Sequence, residues 1–288
     1  EEREALRLLF RAAELRRRWR MARGAVEINM PECSIHVSGA HRREAEVHVQ
    51  ALHSTEGDRM TARGMVAELM ILAGEAMGTF GQREGIPLPY RGQPAPVLPP
   101  REELEAIPEG PARAAALRRC MMRGELSTKE AIPHASLGLG AYVQFTSPIR
   151  RYNDVLAHHQ VKAHLRGEKP PLSAQELQAV LDDVQETAIQ MRHLTRDVED
   201  YWLAMYLRDA GRDAWDAQFL QWRNQDMGLA AVVLTDLGWE TTIRLDRPAT
   251  PGETLSLGVV EAEPRLDGTT TLVMEELEEF EPSWDEAE

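Results

Sequence analysis

The sequence predicts an α+β fold, in which a larger domain of helices and a few strands is followed by a small all-β barrel. Apolar residues recur at helical spacing through most of roughly the first 210 positions. Beyond Gly228 the pattern changes to short runs rich in β-branched residues, separated by turns that contain glycine. A length of 288 residues suits one large and one small domain. We predict domain limits of 1–222 and 223–276, with an acidic tail at 277–288.

The first domain shows the helical pattern five times. The expected helices cover about 2–22, 59–80, 111–123, 148–166 and 173–211. Ser173 and Glu176 form a capping box at the start of the last one, which would be about 55 Å long at about 1.5 Å per residue. Alternating segments within 25–37 and 45–49 predict two strands, and the prolines of 85–100 exclude a helix there.

The predicted barrel begins beyond a boundary near Trp222 to Gly228. Its strands are expected in four runs, at 230–234, 239–245, 254–263 and 269–274. Turns at Gly238, Gly252 and Gly268 separate them.

Composition excludes several classes of protein. Hydrophobic residues at 43% and charged residues at 28% rule out a disordered chain, and no apolar run reaches the roughly 18 residues of a membrane helix. Two cysteines, Cys33 and Cys120, support neither a disulfide framework nor a zinc site. We therefore expect a cytoplasmic protein without a membrane partner.

The net charge of −14 is unevenly distributed. Eight acidic residues lie between Glu275 and Glu288, whereas the first 23 residues hold eight arginines against four glutamates. Because the local field decides binding, the overall negative charge does not exclude a nucleic-acid partner. The sequence begins at Glu1 rather than methionine, and we expect further chain upstream.

The segment from Ser136 to His159 is the most informative. Ser147 is predicted to cap a helix with Pro148 in its first turn, and Arg150 and Arg151 would then lie beside free N–H groups. Cations are disfavoured at that helix end, so their presence indicates a bound anion. Asp154 would brace the Arg150 guanidinium, with His158 on the same helix face. A salt-bridged helix end without a ligand is the alternative.

This segment resembles the signature of a known family. F-T-S-P-I-R-R-Y-N-D-V-L-A-H at 145–158, preceded by G-L-G-A-Y, is similar to the motif of the RNB family, the catalytic domain of ribonuclease II and ribonuclease R. Segments 23–32, 65–76 and 89–94 are similar to further motifs of that family, in the same order. The final barrel resembles the OB-fold RNA-binding domain that follows the catalytic domain.

The resemblance implies processive, metal-dependent 3′ to 5′ hydrolysis of single-stranded RNA to nucleoside 5′-monophosphates. Arg150 would be catalytic, holding the scissile phosphate and its developing charge. Glu68 would bond ribose hydroxyls near the 3′ end. Tyr142, Thr146, Ser147 and Arg151 would line the RNA channel, and Asp154 and His158 would support them. An aromatic residue that stacks on the terminal base in some members falls near Ile28.

The family's magnesium ligands are absent from the matched segments. They form an acidic cluster, D-x-x-x-x-x-D-x-D-D, upstream of every motif found here, so we expect the ligands outside this chain. The upstream part, in the same chain or in a separate one, is an expected partner. The acids at 182–183 and 197–200 are interpreted as the solvated face of the long helix.

Two other functions remain open at this point. The chain could be a catalytically inactive RNA-binding module of the same fold. It could also be a helical protein-interaction subunit, in which the long helix packs on a partner.

Overall fold

A computed structural model describes residues 2–40, 45–53, 55–56 and 59–277 of the 288. The helices are α1 Glu2–Ala22, α2 Ala62–Glu84, α3 Arg101–Glu105, α4 Pro111–Cys120, α5 Tyr152–Leu165 and α6 Ala174–Asp209. The strands are β1 Glu32–Ser38, β2 Glu46–Leu52, β3 Thr55–Glu56, β4 Arg59–Met60, β5 Tyr90–Gly92, β6 Glu125–Ser127, β7 Trp215–Asn224, β8 Leu229–Leu234, β9 Trp239–Arg244, β10 Thr254–Glu263 and β11 Thr271–Glu276. The α+β prediction is confirmed.

The chain divides into two compact units, each built from separate stretches of sequence. The first unit contains Glu1–Asn29, His53–Pro100 and Leu117–Arg192. The second contains Met30–Leu52, Arg101–Ala116 and His193–Glu288.

The core of the first unit lies between α2, α5 and the extended segments beside them. Its largest cluster of buried apolar residues is Ile86, Leu88, Tyr90, Val143, Ala157 and Val161. Helix α2 begins where the Thr61 hydroxyl accepts the N–H of Gly64 at 3.2 Å. It ends at Gly85, whose φ of 65° is the left-handed conformation that glycine adopts without strain.

The second unit is built on a five-stranded antiparallel sheet in the order β11-β10-β7-β8-β9. Strands β9 and β11 also contact each other, which brings the two edges together as in an OB-like barrel. The β1–β2 hairpin supplies Ile35 and Val49 to the barrel core. Ala112 and Ala115 of α4 pack against β7 and β8.

Helix α6 has 36 residues and contributes to both units. Its capping box is confirmed, because the Glu176 carboxylate accepts the Ser173 N–H at 2.8 Å and the Ser173 hydroxyl caps the N–H of Glu176 at 3.3 Å. Leu177 and Leu181 are buried near its start, and Leu203 and Leu207 near its end.

The sequence missed the first strand of the barrel. β7 starts at Trp215 and pairs with both β8 and β10, so the predicted boundary at 222/223 would divide this strand. Burial alternates from Trp215 to Phe219. A bulge then turns the adjacent Leu220 inwards as well, where it packs with Ala112 and Ala115 of α4. This irregular register hid the strand pattern. The predicted domain limits otherwise stay a prediction.

The strand expected within 25–37 is shorter than predicted, and the acidic tail is not described by the structure. Residues 25–31 form no strand in the structure, and the first hairpin strand begins at Glu32. The acidic tail at 277–288 lies outside the described residues, except Leu277. Within the described ranges, no helix is both long enough and apolar enough to cross a membrane.

Candidate active site

Glu68 lies on α2 with its carboxylate turned towards α1. Only 6% of Glu68 and 7% of Arg20 is exposed. The Arg20 Nε donates to Glu68 Oε2 at 3.0 Å, and Nη2 donates to Oε1, so the pair is bidentate. The predicted ribose contact therefore has a buried arginine partner that the sequence did not reveal.

Arg20 also joins α1 to the loop that precedes Tyr142. Its Nη1 donates to the carbonyl oxygen of Leu137 at 3.1 Å. Gly138 follows with φ of 69°, and a Cβ at that position would lie 2.8 Å from the Arg20 carbonyl oxygen. Both the positive φ and the close approach of the backbone require glycine here.

A cavity of about 180 Å³ opens beside this pair. It is lined by Glu68 and Arg20, and also by Ile28, Asn29 and Ile71. The cavity thus combines carboxylate acceptors with an apolar wall, which is the chemistry that a sugar hydroxyl next to a base requires. Ile28, whose side chain is aliphatic, is part of this wall.

Tyr142 packs closely against α2 because the helix has glycines, Gly74 and Gly78, at the points of contact. The Tyr142 ring lies over Gly74, where an added Cβ would be 2.8 Å from Cδ2 of the ring. At Gly78 a Cβ would lie 2.8 Å from the backbone nitrogen of Tyr142. The N–H of Val143 donates to the Gly74 carbonyl at 3.1 Å and fixes this contact.

The surroundings of Tyr142 are buried and electropositive. Its ring makes an edge-to-face contact with His134, with centroids 5.6 Å apart. Burial raises the pKa of Tyr142, against the opposing effect of Arg151 and Arg91. Burial, followed by the charge of Arg91, lowers the pKa of His134 to about 4, so the imidazole is neutral at pH 7.

The turn that carries Arg150 is organised by Asp154, which is fully buried. The Asp154 Oδ2 accepts the N–H of Ser147 at 2.8 Å and also bonds Nε and Nη2 of Arg151, at 3.1 and 2.7 Å. Its Oδ1 is buried and has no hydrogen-bond partner among the described residues. Asp154 is therefore the internal support of this turn.

Two expectations about this segment were wrong. Ser147 does not cap a helix beginning at Pro148, because residues 148–150 form a turn and α5 begins at Tyr152. Asp154 braces Arg151 and not Arg150, since the i, i+4 spacing applies only within a continuous helix. The Ser147 N–H is instead held by a side chain from the first turn of α5.

His158 holds the other end of the same segment. Its Nε2 lies 3.0 Å from the carbonyl oxygen of Phe145, and the two rings are stacked with centroids 4.0 Å apart. An imidazole N–H at this position donates to the carbonyl. Asp154 and His158 therefore support residues 145–151 from one face of α5.

Arg150 and Thr146 are exposed. Within the described ranges the Arg150 guanidinium makes no ion pair, whereas its neighbour Arg151 pairs with Asp154. Ile149, beside it, is 97% exposed. The turn thus presents an uncommitted cation on a rigid base, which can hold a phosphate by charge-assisted hydrogen bonds.

Arg91, in the P-Y-R segment, is a further component of the site. Its N–H donates to the Tyr142 carbonyl at 2.8 Å, and its Nη1 donates to Gln144 Oε1 at 3.3 Å. The charge of Arg91 acts on both Tyr142 and His134. Arg91 was not among the predicted site residues, although the family motif in 89–94 is a sequence signal that could have identified it.

No metal site can be built from the described residues. They contain no group of three or more His, Cys, Asp and Glu side chains placed to hold an ion. Asp182, Asp183, Asp197 and Glu199 are exposed along α6, as predicted from the helical pattern, whereas Asp200 is half-buried. The described residues therefore do not fit a magnesium centre.

The structure brings most of the predicted residues together. Arg20, Arg151 and Asp154 all act electrostatically on Tyr142, which links the Glu68 pair to the Arg150 turn. The sequence missed Arg20 and His134. Arg20 shares α1 with many other arginines, whereas the spacing of Gly74, Gly78 and Gly81 was a usable signal for close packing on α2.

Comparisons with known proteins identify relatives of this chain. A family model described as the RNB domain matches residues 1–167. An uncharacterized ribonuclease of Synechocystis is 43% identical over 91% of the chain, which spans 38% of that relative. A chloroplastic/mitochondrial ribonuclease II of Arabidopsis thaliana is 35% identical over 93% of the chain, which spans 33% of it. The chain therefore corresponds to about a third of each relative.

Solved structures share the fold. An apo RNase R of Mycoplasma genitalium superposes with a TM-score of 0.70 at 18% identity, over 94% of this chain and 49% of that one. A Dss1 exoribonuclease of Candida glabrata gives a TM-score of 0.71 at 20% identity, over 94% of this chain and 35% of that one. The family model matches more than half of the chain and includes Glu68, Tyr142 and the turn at Arg150. The chain therefore belongs to the RNB family.

Proposed function

We propose that this chain belongs to a 3′ to 5′ exoribonuclease that degrades single-stranded RNA processively to nucleoside 5′-monophosphates. The chain would supply the carboxy-terminal part of the catalytic domain and the OB-fold domain that grips RNA. Magnesium would be held by residues outside this chain, in an upstream part of the protein that is joined to it or present as a separate polypeptide. The relatives are named ribonucleases, and the chain is similar to only part of each. A cytoplasmic location stays a prediction.

The observation that carries this proposal is the turn around Arg150. An exposed guanidinium stands on a turn that is held by the buried Asp154, which bonds the Ser147 N–H and the Arg151 guanidinium. Such a group can stabilise the charge that develops on a phosphate in the transition state, because the turn that carries it is already in place. Arg150 is therefore the proposed catalytic residue. Thr146, Ser147 and Arg151 would contact the RNA backbone beside it.

Glu68 and Tyr142 support the choice of RNA as substrate. The Glu68 carboxylate lines a cavity large enough for part of a nucleotide, and carboxylate oxygens accept bonds from ribose hydroxyls. The structures of RNase R from Mycoplasma genitalium include complexes with single-stranded and double-stranded RNA. Binding of single-stranded RNA by this chain is proposed on these grounds.

The proposal is tested by Arg150→Ala in the complete native protein. Turnover at saturating RNA is expected to fall by about 10² or more, with a much smaller change in RNA affinity, because the lost interaction acts mainly in the transition state. Release of labelled mononucleotides from a uniformly labelled single-stranded RNA measures turnover, and fluorescence anisotropy measures binding.

Arg166→Ala is the matched control for this test. Arg166 lies directly after the last turn of α5 and pairs with Glu168 at the surface, so its loss removes the same charge at the opposite end of the helix that follows Arg150. Its turnover should equal that of the wild type. Near-normal turnover of Arg150→Ala would contradict the catalytic role. RNA binding by a wild-type protein without hydrolysis would favour the inactive module instead.

A further inference from the structure

The buried pair between Arg20 and Glu68 has geometry that a surface ion pair lacks. Each carboxylate oxygen of Glu68 accepts from a different nitrogen of the guanidinium, and both residues are more than nine-tenths buried. A bidentate pair of this kind fixes the plane of the carboxylate as well as its distance from the guanidinium. The direction of the remaining lone pairs of Glu68 is therefore set by Arg20.

Arg20 is itself held from a third direction. Its Nη1 donates to the Leu137 carbonyl at 3.1 Å, so the guanidinium has partners on α2 and on the loop before Tyr142. Its own backbone carbonyl accepts the N–H groups of Arg23 and Ala25 at the end of α1. The guanidinium cannot turn without breaking its bonds to Glu68 and to the Leu137 carbonyl.

We propose that Arg20 is a positioning residue that aims the Glu68 carboxylate into the adjacent cavity, and thereby determines how strongly the site prefers a 3′-terminal ribose to a deoxyribose. Arg20 lines the cavity together with Glu68. The inference rests on the proposed function, in which Glu68 bonds ribose hydroxyls. A site built to bond a hydroxyl discriminates against an analogue that lacks it, because its own buried polar group is then left unpaired.

The molecule contains a natural control for this role. Arg16, one turn earlier on α1, pairs with Glu75 on α2, and their side chains are 20% and 21% exposed. This pair joins the same two helices, but neither residue lines the cavity beside Glu68. Loss of the Arg16 pair should affect helix packing alone.

The experiment uses the complete native protein and two RNAs that differ only in the 2′ group of the 3′-terminal nucleotide. The ratio of kcat/KM for the ribose end to that for the deoxyribose end is measured for the wild type, Arg20→Met, Arg20→Lys and Arg16→Met. Arg20→Met should lower this ratio about tenfold or more. Arg20→Lys keeps the charge but cannot donate to both carboxylate oxygens with the geometry of a guanidinium, so it should give an intermediate ratio. Arg16→Met should keep the wild-type ratio even if its Tm falls.

A wild-type ratio in Arg20→Met would overturn the inference. If that variant does not fold, an unchanged ratio in Arg20→Lys would overturn it equally. Glu68→Gln separates the two proposals: if it lowers the ratio and the Arg20 variants do not, only the role of Arg20 is wrong. A wild type with no ribose preference or no hydrolysis would contradict the function proposed for Glu68, and the role of Arg20 with it.

Discussion

At the scale of single residues, buried polar groups define this site more than exposed ones do. Asp154, Glu68 and His134 are each at least nine-tenths buried, and each contacts a segment distant in sequence or the turn before its helix. The family motif identified Glu68 and Asp154 from the sequence. It did not identify their partners, because Arg20 and Glu68 lie 48 positions apart and nothing local connects them.

His134 should make the folded state sensitive to acid. Its pKa is lowered to about 4 by burial and by Arg91, against an ordinary value of 6.5. Between these two values the unfolded chain binds the proton and the folded chain does not, so stability is full above pH 6.5 and falls as the pH drops towards 4. The loss should be about 3 kcal/mol for this residue.

This prediction is checked by urea unfolding between pH 7 and pH 4.5, with His134→Gln compared to wild type. The variant should be less stable at pH 7 but lose less stability on acidification. His159→Gln, at an exposed position of α5, should keep the wild-type pH dependence. Identical slopes for His134→Gln and wild type would mean that the folded protein already accommodates a charged imidazole there.

At the scale of elements, all helices except the short α3 were predicted, whereas their contacts were not. Apolar spacing and capping residues predicted α1, α2, α4 and α6 to within a few residues. The start of α5 was misplaced because Ser147-Pro148 has the composition of a cap and first turn, whereas the tertiary bond from Asp154 to the Ser147 N–H favours a separate turn. Such a bond cannot be read from local preferences.

The glycines of α2 give a prediction at this scale. Gly78→Ala would place a Cβ 2.8 Å from the Tyr142 nitrogen and 3.0 Å from the Ala141 carbonyl carbon, which are backbone atoms and cannot turn aside. Alanine favours an isolated helix by about 1 kcal/mol, but overpacking costs about 1 to 3 kcal/mol. We expect a net loss of stability and weaker RNA binding as Tyr142 shifts.

Thermal unfolding and RNA affinity measure both effects. Gly140→Ala is the control, because a Cβ there meets no atom within 4 Å and its φ is not in the left-handed region. Its Tm should change little. A higher Tm for Gly78→Ala would show that helix propensity outweighs the contact with Tyr142.

At the scale of the whole molecule, the fold class and the family were predictable, and the assembly of the two units was not. Sequence patterns place the β1–β2 hairpin in the first domain, between α1 and α2. Its Ile35 and Val49 instead pack in the core of the barrel. They lie more than 160 positions before β7, the first strand of the barrel sheet, in the sequence. Periodicity reports which face of an element is apolar, and it does not report which distant face will cover it.

The path of the chain between the two units determines how the molecule responds to a cut backbone. The chain passes from one unit to the other at 29/30, 52/53, 100/101, 116/117 and 192/193. A cut at 192/193 leaves β1, β2 and α4 on the fragment 1–192, although their apolar residues pack on the barrel of 193–288.

We expect these two fragments to stay together after cleavage at a protease sequence inserted at 192/193, in the exposed middle of α6. Size-exclusion chromatography should show one complex in native buffer and two species in urea, whereas separation in native buffer would contradict the shared core. The same feature makes linear domain limits a poor guide to truncation. Removal of the barrel as 223–276 would leave its hairpin and α4 with exposed apolar faces, so the truncated protein should aggregate rather than lose a single function.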